Sequence, residues 1–399
     1  MPITTEINFD AVIIGGGPAG STAAALLAKN GWLVAVIEKA DFPRLKVCGE
    51  FISSTSFPVL DQIGVGDIWR AKAGPAIRKL ALFEGKNCVE APVHNKDPDG
   101  LGRALGRDVL DEILLSVARD RGAKIFQPCR AVEITTKDDK QTVKISTQTN
   151  EIELRAPVII AAHGSWEQGP LPTHLDKLDS DDSFFGFKAY FDNAQFDTDL
   201  MSLLAFPGGY GGIVWADDNR LSVSCCIKRG MLSKIRNTYG MAPAPEAVHR
   251  HLMDSCSGVQ NAIGQASRPV NWLAAGPIRP GIRPGYQGDI FRIGNAAGEA
   301  HPIVAEGISM AIQSAYLLVV ELSNVDVRTR AGREIAGKRY EKIWRKQFGL
   351  RIQASSLFSK IAVHPGSAKV TSTLIRFVPS LLMAGVDLAG KTKSISINV

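Results

Sequence analysis

Three glycines and a carboxylate carry the first chemical signal in the chain. Gly15, Gly17 and Gly20 stand in GxGxxG spacing within GGGPAG, and Glu38 follows 18 residues after the last of them. Glycine at the first position permits a sharp turn, at the second it lets a phosphate approach backbone amides, and at the third it lets a helix pack close on a strand. A carboxylate at the end of the next strand accepts hydrogen bonds from ribose hydroxyls and repels a 2′-phosphate. The pattern predicts a dinucleotide site for FAD or NAD rather than NADP. Pro18 and Ala19 lie in the turn that opens the helix, and Lys39 follows the acid. The elements that must hold these groups are legible around them. DAVII, from Asp10 to Ile14, is a buried strand pattern, STAAALLAKNG a helix and WLVAVIE a second strand. This is a βαβ unit whose helix N-terminus attracts phosphates.

A second segment, from Gly288 to Ala315, has the pattern of a strand, a loop containing Gly and Pro, and a helix beginning near Gly307. With the first, it resembles the FAD-dependent oxidoreductases of the p-hydroxybenzoate-hydroxylase type, a superfamily that includes geranylgeranyl reductases and flavin-dependent halogenases. The family's GDAA, Pro and helix start match Gly294, Ala296, Ala297, Pro302 and Gly307 without a gap. The resemblance implies FAD, with Asn295 on the ribityl chain, Pro302 beside the isoalloxazine, and the amides of Ile308 and Ser309 facing flavin N1 and O2. A helix N-terminus there stabilises developing negative charge. LGRALGRDVLDEILLSVARDRGAKI resembles the family's RxxLDxxL helix, which implies that Arg107 reaches the cofactor. The next strand, near Arg130 to Val132, would edge the adenine.

The loop DFPRLKVCGEFIS resembles the FPRxKxCGE stretch of the geranylgeranyl-reductase-like branch, as do GNAAG and the following Glu306-Gly307-Ile308. This resemblance places Cys48 near the isoalloxazine, its alternative being a packed thiol, and offers Arg44 and Lys46 to the cofactor phosphates. Some positions depart from the family. His163, in AAHGSWEQG, replaces the Asp of a DG motif, and the GDAA acid is Asn295. Asn still hydrogen-bonds a hydroxyl without charge. His163 is read as a structural loop histidine, with a local acid or base as the alternative. In GGYGGIVWA, Tyr210 remains while Gly212, Val214 and Trp215 replace the Trp, Phe and Pro of the prenyl-reductase YxWxFP motif. The halogenase WxWxIP motif is absent.

These elements predict an α/β fold: a discontinuous Rossmann-type FAD-binding domain (1–75, 101–165, 273–322), a β-rich substrate domain (76–100, 166–272) and a C-terminal helical segment (323–399). The substrate region has strand patterns in FFGFKAYF, MSLLAFP, GGIVWADD and RLSVSCCIK. Phe185, Phe187, Tyr190, Phe206, Tyr210 and Trp215 are aromatic candidates for a pocket wall, with core packing as the alternative. Lys188, which interrupts an apolar strand, is a further pocket candidate, with a solvated side chain as the alternative. Cys48, His301 and Glu306 are the catalytic candidates; helix capping is the alternative for the last two.

The chain has 46 Lys and Arg against 40 Asp and Glu, but the surplus is local. From Arg328 onward 14 basic residues meet 3 acidic ones, giving +11, so residues 1–327 carry −5. An acidic bulk is unsuited to nucleic acid. The basic, partly amphipathic C-terminal region is a candidate for peripheral membrane contact, against helices packed on the FAD domain with a solvated basic face. Six scattered cysteines without metal-ligand spacing, and an N-terminus without a signal pattern, predict a reduced, cytoplasmic protein. No metal site and no transmembrane helix are expected. The functional expectation is an NAD(P)H-driven flavin monooxygenase acting on a lipophilic or aromatic small molecule. Its alternative is a geranylgeranyl-reductase-like enzyme reducing C=C bonds. An oxidase or dehydrogenase, a halogenase or a non-catalytic flavin redox sensor are lesser alternatives.

Overall fold

A four-residue run such as Ala11–Ile14 that is buried at every position needs cover on both sides. The computed structural model describes residues 6–93, 100–137, 140–147, 150–176, 180–390 and 395, and shows that cover. Strands Ile290–Arg292, Val158–Ala161, Ala11–Ile14, Val34–Ile37 and Lys124–Phe126 form a parallel sheet in that order, with Tyr286–Gln287 antiparallel at one edge. Ala11, Ile13, Val34, Val36, Val158 and Ile160 face helices Pro18–Lys29, Arg107–Asp120 and Gly307–Ser323. Their neighbours Val12, Ile14, Ala35, Ile37, Ile159 and Ala161 face a four-stranded sheet through Val143, Ile145 and Leu154. Alternate residues thus serve two cores. Ligands in such folds sit at the carboxyl ends of the parallel strands.

A seven-stranded sheet stands over that end. Its order is Leu273–Ala275, Phe184–Phe191, Leu221–Lys228, Gly209–Trp215, Leu200–Phe206, Lys79–Glu84 and Asn87–Pro92. Strand Leu273–Ala275 pairs with Phe184–Phe191, just past the boundary expected at 272. After Lys228, where the strand patterns predict a mainly β region, the chain instead forms helices Arg229–Thr238, Ala244–Ser255 and Ser257–Ile263. Their Ile235, Val248, Leu252 and Val259 cover one face of the sheet. Adjacent Cys225 and Cys226 point to opposite faces, Cys225 into that helix-covered core and Cys226 into another cluster.

The C-terminal segment is helical as expected. Helix Arg330–Val363 opens on Thr329, whose Oγ1 accepts from the Gly332 amide at 3.0 Å. Its Tyr340, Trp344, Phe348 and Ile352 join the core that also holds helix Gly307–Ser323. Helices Pro365–Phe377 and Ser380–Leu388 follow.

Candidate active site

The two glycine-bearing turns and the seven-stranded sheet enclose one cavity. Gly15 has φ +111°, and a Cβ there would lie 2.6 Å from the Ala162 carbonyl oxygen. A Cβ at Gly20 would lie 1.9 Å from the Gly15 carbonyl oxygen, so both positions are required by the chain itself. Gly17 differs. The nearest atom to its missing Cβ is Arg107 Nη2 at 3.8 Å, which leaves free space on the cavity side. Helix Pro18–Lys29 starts there without a side-chain cap, and helix Gly307–Ser323 also starts uncapped, with Gly307 and Ile308 on the same cavity. Its first backbone bond runs from Met310 N to Glu306 O at 2.8 Å, so the preceding amides are open to a ligand.

Charged groups gather at the dinucleotide turn. Glu38, 3% exposed, accepts from the Gly16 amide at 2.8 Å, the Ala40 amide at 2.9 Å and Arg44 Nη1 at 2.9 Å. Arg107 donates twice to Asp111, at 2.7 and 2.8 Å. Burial opposes the Arg107 charge, but Asp111 and then Cys48 outweigh it and hold the guanidinium pKa above its ordinary value. Burial, then Arg44 and Arg107, lower the Lys46 pKa to about 8. His163 borders the cavity, donating or accepting with Thr173 Oγ1 at 2.8 Å. Burial and His174 lower its pKa to about 4, so it is neutral at pH 7. Uncapped amides, an open Gly17, a buried carboxylate and cations fit a dinucleotide with two phosphates and a ribose. They would hold FAD.

Of the cofactor positions expected from sequence, Gly15, Gly17, Pro18, Ala19, Glu38, Lys39, Arg44, Cys48, Arg107, Gly294, Asn295, Pro302, Gly307 and Ile308 border the cavity. Gly20 supports the turn from behind. Val132 stands off the cavity, which Arg130 and Ala131 border instead. Ser309 is buried with its Oγ accepting from the Ser53 amide at 3.1 Å. The substrate wall needs a larger correction. Phe187 and Phe206 lie in the core against the three helices, Trp215 packs on it, and Trp215 Nε1 donates to the Phe196 carbonyl at 2.9 Å. Their strand parity turns them from the cavity. Register pairs Met201 with Val214, Leu203 with Gly212 and Tyr210 with Cys226, and these residues form the wall. Tyr210 is the one expected pocket aromatic that borders it.

The catalytic candidates also separate. Cys48 borders the cavity, its Sγ accepting from the Glu50 amide at 3.4 Å. His301 stands behind the wall, its Nδ1 3.0 Å from the Tyr210 hydroxyl. Glu306 is fully buried off the cavity, accepting from Ser53 Oγ and from Arg351 Nη1, each at 3.1 Å. It ties the cofactor helix to the C-terminal helix and is corrected from a catalytic to a structural group.

A family model described as an FAD binding domain matches residues 8–173. The chain is 26% identical over 339 residues to menaquinone reductase of Mycobacterium tuberculosis, spanning 82% of this chain and 79% of that one. Residues 8–173 are an FAD binding domain of the p-hydroxybenzoate-hydroxylase type, and the chain is an FAD-dependent oxidoreductase. Its fold is shared by solved structures, two of which illustrate it. A myxobacterial chondrochloren halogenase aligns with TM-score 0.77 at 19% identity, over 94% of this chain and 90% of that one. A geranylgeranyl bacteriochlorophyll reductase-like protein of Thermoplasma acidophilum aligns with TM-score 0.73 at 19% identity, over 93% and 92%.

Besides the half-buried Glu167, this oxidoreductase carries two buried acids on its cavity that the sequence patterns did not single out. Glu50 has φ +64°, is 1% exposed, and accepts from Tyr190 Oη at 2.6 Å and from the Arg107 amide at 2.9 Å. It also pairs with Lys188, which is fully buried and off the cavity. Glu50 Oε2 has no hydrogen-bond partner among the described residues. Glu299 accepts from Ser165 Oγ at 2.5 Å, and burial raises its pKa. Both sit inside the motifs CGE and GEAHP, where an acid among Gly, Ala and Cys is the available signal.

Proposed function

We propose that this flavoenzyme reduces a C=C bond in an uncharged, lipophilic, prenyl-bearing substrate, with NAD(P)H as the source of electrons. The observation that carries the reading is the composition of the wall opposite the dinucleotide turn. Met201, Leu203, Val214, Val47 and Phe51 form it, while Arg44, Lys46 and Arg107 gather at the dinucleotide end. Such a wall gains roughly 25 cal/mol for each Å² of apolar surface it covers and offers an acidic aromatic substrate no counterion. The extended similarity to a menaquinone reductase supports the same class.

FAD, bound and reduced, supplies a hydride equivalent. Reduction of the double bond then needs one proton, which we assign to Tyr210 Oη on the wall. Burial, then Lys360, lower the His301 pKa to about 4, so the ring is neutral, and in its Nδ1–H tautomer it donates to Tyr210 Oη, orienting the hydroxyl and leaving its proton for the substrate. Glu50, Tyr190 and Lys188 hold the loop after Cys48 against the sheet and close that side to water.

The test is anaerobic. NADH or NADPH should bleach the flavin absorbance of the holoenzyme, and a short-chain prenyl quinone should restore it, the recovered quinone carrying two added hydrogens on carbon in its prenyl side chain. Reoxidation that requires O2, with one oxygen atom in the product, would replace this reading by monooxygenation.

A further inference from the structure

Eight of the 13 large apolar side chains that are exposed among the described residues fall between Leu350 and Leu388. They form stripes. On helix Pro365–Phe377, Val370, Leu374 and Phe377 stand at i, i+4 and i+7 and are 60, 54 and 79% exposed, while Ala368, Ser372 and Ile375 on the opposite face are buried. Leu350 and Leu357 repeat at the same seven-residue interval on Arg330–Val363, as do Leu381 and Leu388 on Ser380–Leu388, all exposed. The three helices pack on one another. Each already has a buried face, so the outer stripes contribute nothing to the protein's own core.

Charge selects the occupant. Between residues 342 and 390 the exposed charged side chains are Lys342, Arg345, Lys346, Lys360, Lys369 and Arg376 against Asp387. At 100° per residue Lys369 and Arg376 fall on one flank of the Val370 stripe, where long cationic side chains reach headgroups while the stripe enters the acyl boundary. A second copy docked on this face would oppose like charges, whereas an anionic bilayer complements them. Among the described residues no single helix is long and apolar enough to cross a membrane, and the last two helices meet at a bend of 117°. That shape suits a surface and not a straight span.

The inner face of the same helices belongs to the site. Ile375, Leu382 and Val386 share one hydrophobic cluster with Phe51, Met201 and Val214, which border the cavity. We propose that helices Pro365–Phe377 and Ser380–Leu388 dock the enzyme on an anionic membrane surface and place the apolar end of its cavity against the lipid. Docking stands on the exposed stripes; passage of substrate from the bilayer rests on the function proposed above.

Full-length holoenzyme is mixed with phosphatidylcholine vesicles, with and without phosphatidylglycerol, and sedimented. The enzyme should pellet with the anionic vesicles, and roughly tenfold more weakly once salt shortens the Debye length to about 3 Å. Leu374→Glu/Phe377→Glu and Lys369→Glu/Arg376→Glu should each weaken binding at least about tenfold, with flavin content and melting temperature unchanged. Wild-type enzyme left in the supernatant at low salt overturns the proposal, as does undiminished binding of both variants. A dimer in solution that Leu374→Glu/Phe377→Glu converts to monomer, without vesicle binding, assigns the face to self-association and overturns it too. Anaerobic turnover of a water-soluble short-chain substrate is measured in parallel, so failure of docking and failure of the reductase reading are told apart.

Discussion

The Lys188 ammonium and the Glu50 carboxylate form an ion pair in which neither side chain is exposed, one from the seven-stranded sheet and the other from the loop after Cys48. Tyr190 Oη lies between them in the network, 2.9 Å from Lys188 Nζ and 2.6 Å from Glu50. Taking both charges out of water is costly, and the pair is retained because removing one partner costs more. Its position argues for a clamp that keeps the cofactor loop against the substrate wall.

Lys188→Met should therefore destabilise the holoenzyme by about 3–5 kcal/mol, because the Glu50 charge is left buried and unpaired. Lys188→Met/Glu50→Gln should recover most of that loss. Urea unfolding of the two variants and of Glu50→Gln closes the cycle. Additive losses would mean that the two groups do not act as a pair.

The glycines of the dinucleotide turn make separable predictions. Gly17→Ala meets nothing closer than 3.8 Å, so the apoprotein should melt as wild type while FAD binds at least about tenfold more weakly. Gly20→Ala places a methyl group 1.9 Å from a carbonyl oxygen and should cost about 1–3 kcal/mol or more of apoprotein stability. Thermal melts of the apoproteins with FAD titrations followed by flavin fluorescence distinguish the two. Equal destabilisation would refute the division of roles.

Much of the cofactor side is legible in the amino-acid sequence. Strand, glycine turn, helix and terminal acid leave little freedom, because each glycine answers a distinct steric demand and Glu38 must end the second strand. The distant Gly294 to Ser309 segment is equally readable since its loop and helix start are local. The substrate wall is not. A strand's period of two makes alternation visible but not which parity faces the site, and Phe187, Phe206 and Trp215 take the other face because helices from 229 to 263 supply a partner for it. Glu306 misleads for a related reason: its partner Arg351 lies 45 residues away, beyond any local pattern.

Lys46 gives the cofactor site a pH dependence with a definite sign. Without FAD its pKa is about 8, below the ordinary lysine value of about 10.4, through burial and then the Arg44 and Arg107 charges. Bound phosphates favour the charged form, so binding above pH 8 takes up a proton and the FAD Kd should rise as pH increases from about 8 towards 10. In the apoprotein the lowered pKa works the other way: the unfolded chain binds the extra proton between about 8 and 10.4, so this group's contribution to stability rises with pH across that window. Isothermal titration in buffers of different ionisation enthalpy measures the uptake. Lys46→Met should abolish it, and a proton count that does not change in this variant would remove Lys46 from the site.

Tyr210 and His301 test the proton step. Tyr210 has its pKa held well above the ordinary value, by burial first and then Cys226, so it keeps its proton at every working pH. Tyr210→Phe should slow substrate-driven flavin reoxidation by about 10²–10⁴-fold and leave nicotinamide-driven reduction and the flavin spectrum unchanged. His301 acts through Tyr210, so His301→Gln, which retains an N–H donor, should lose less than His301→Ala. A His301 pKa near 4 also means that no fall in the wild-type rate between pH 5 and 8 should trace to this histidine. A limb near pH 6.5 that disappears in His301→Gln would show instead that the imidazole titrates in turnover and donates the proton itself.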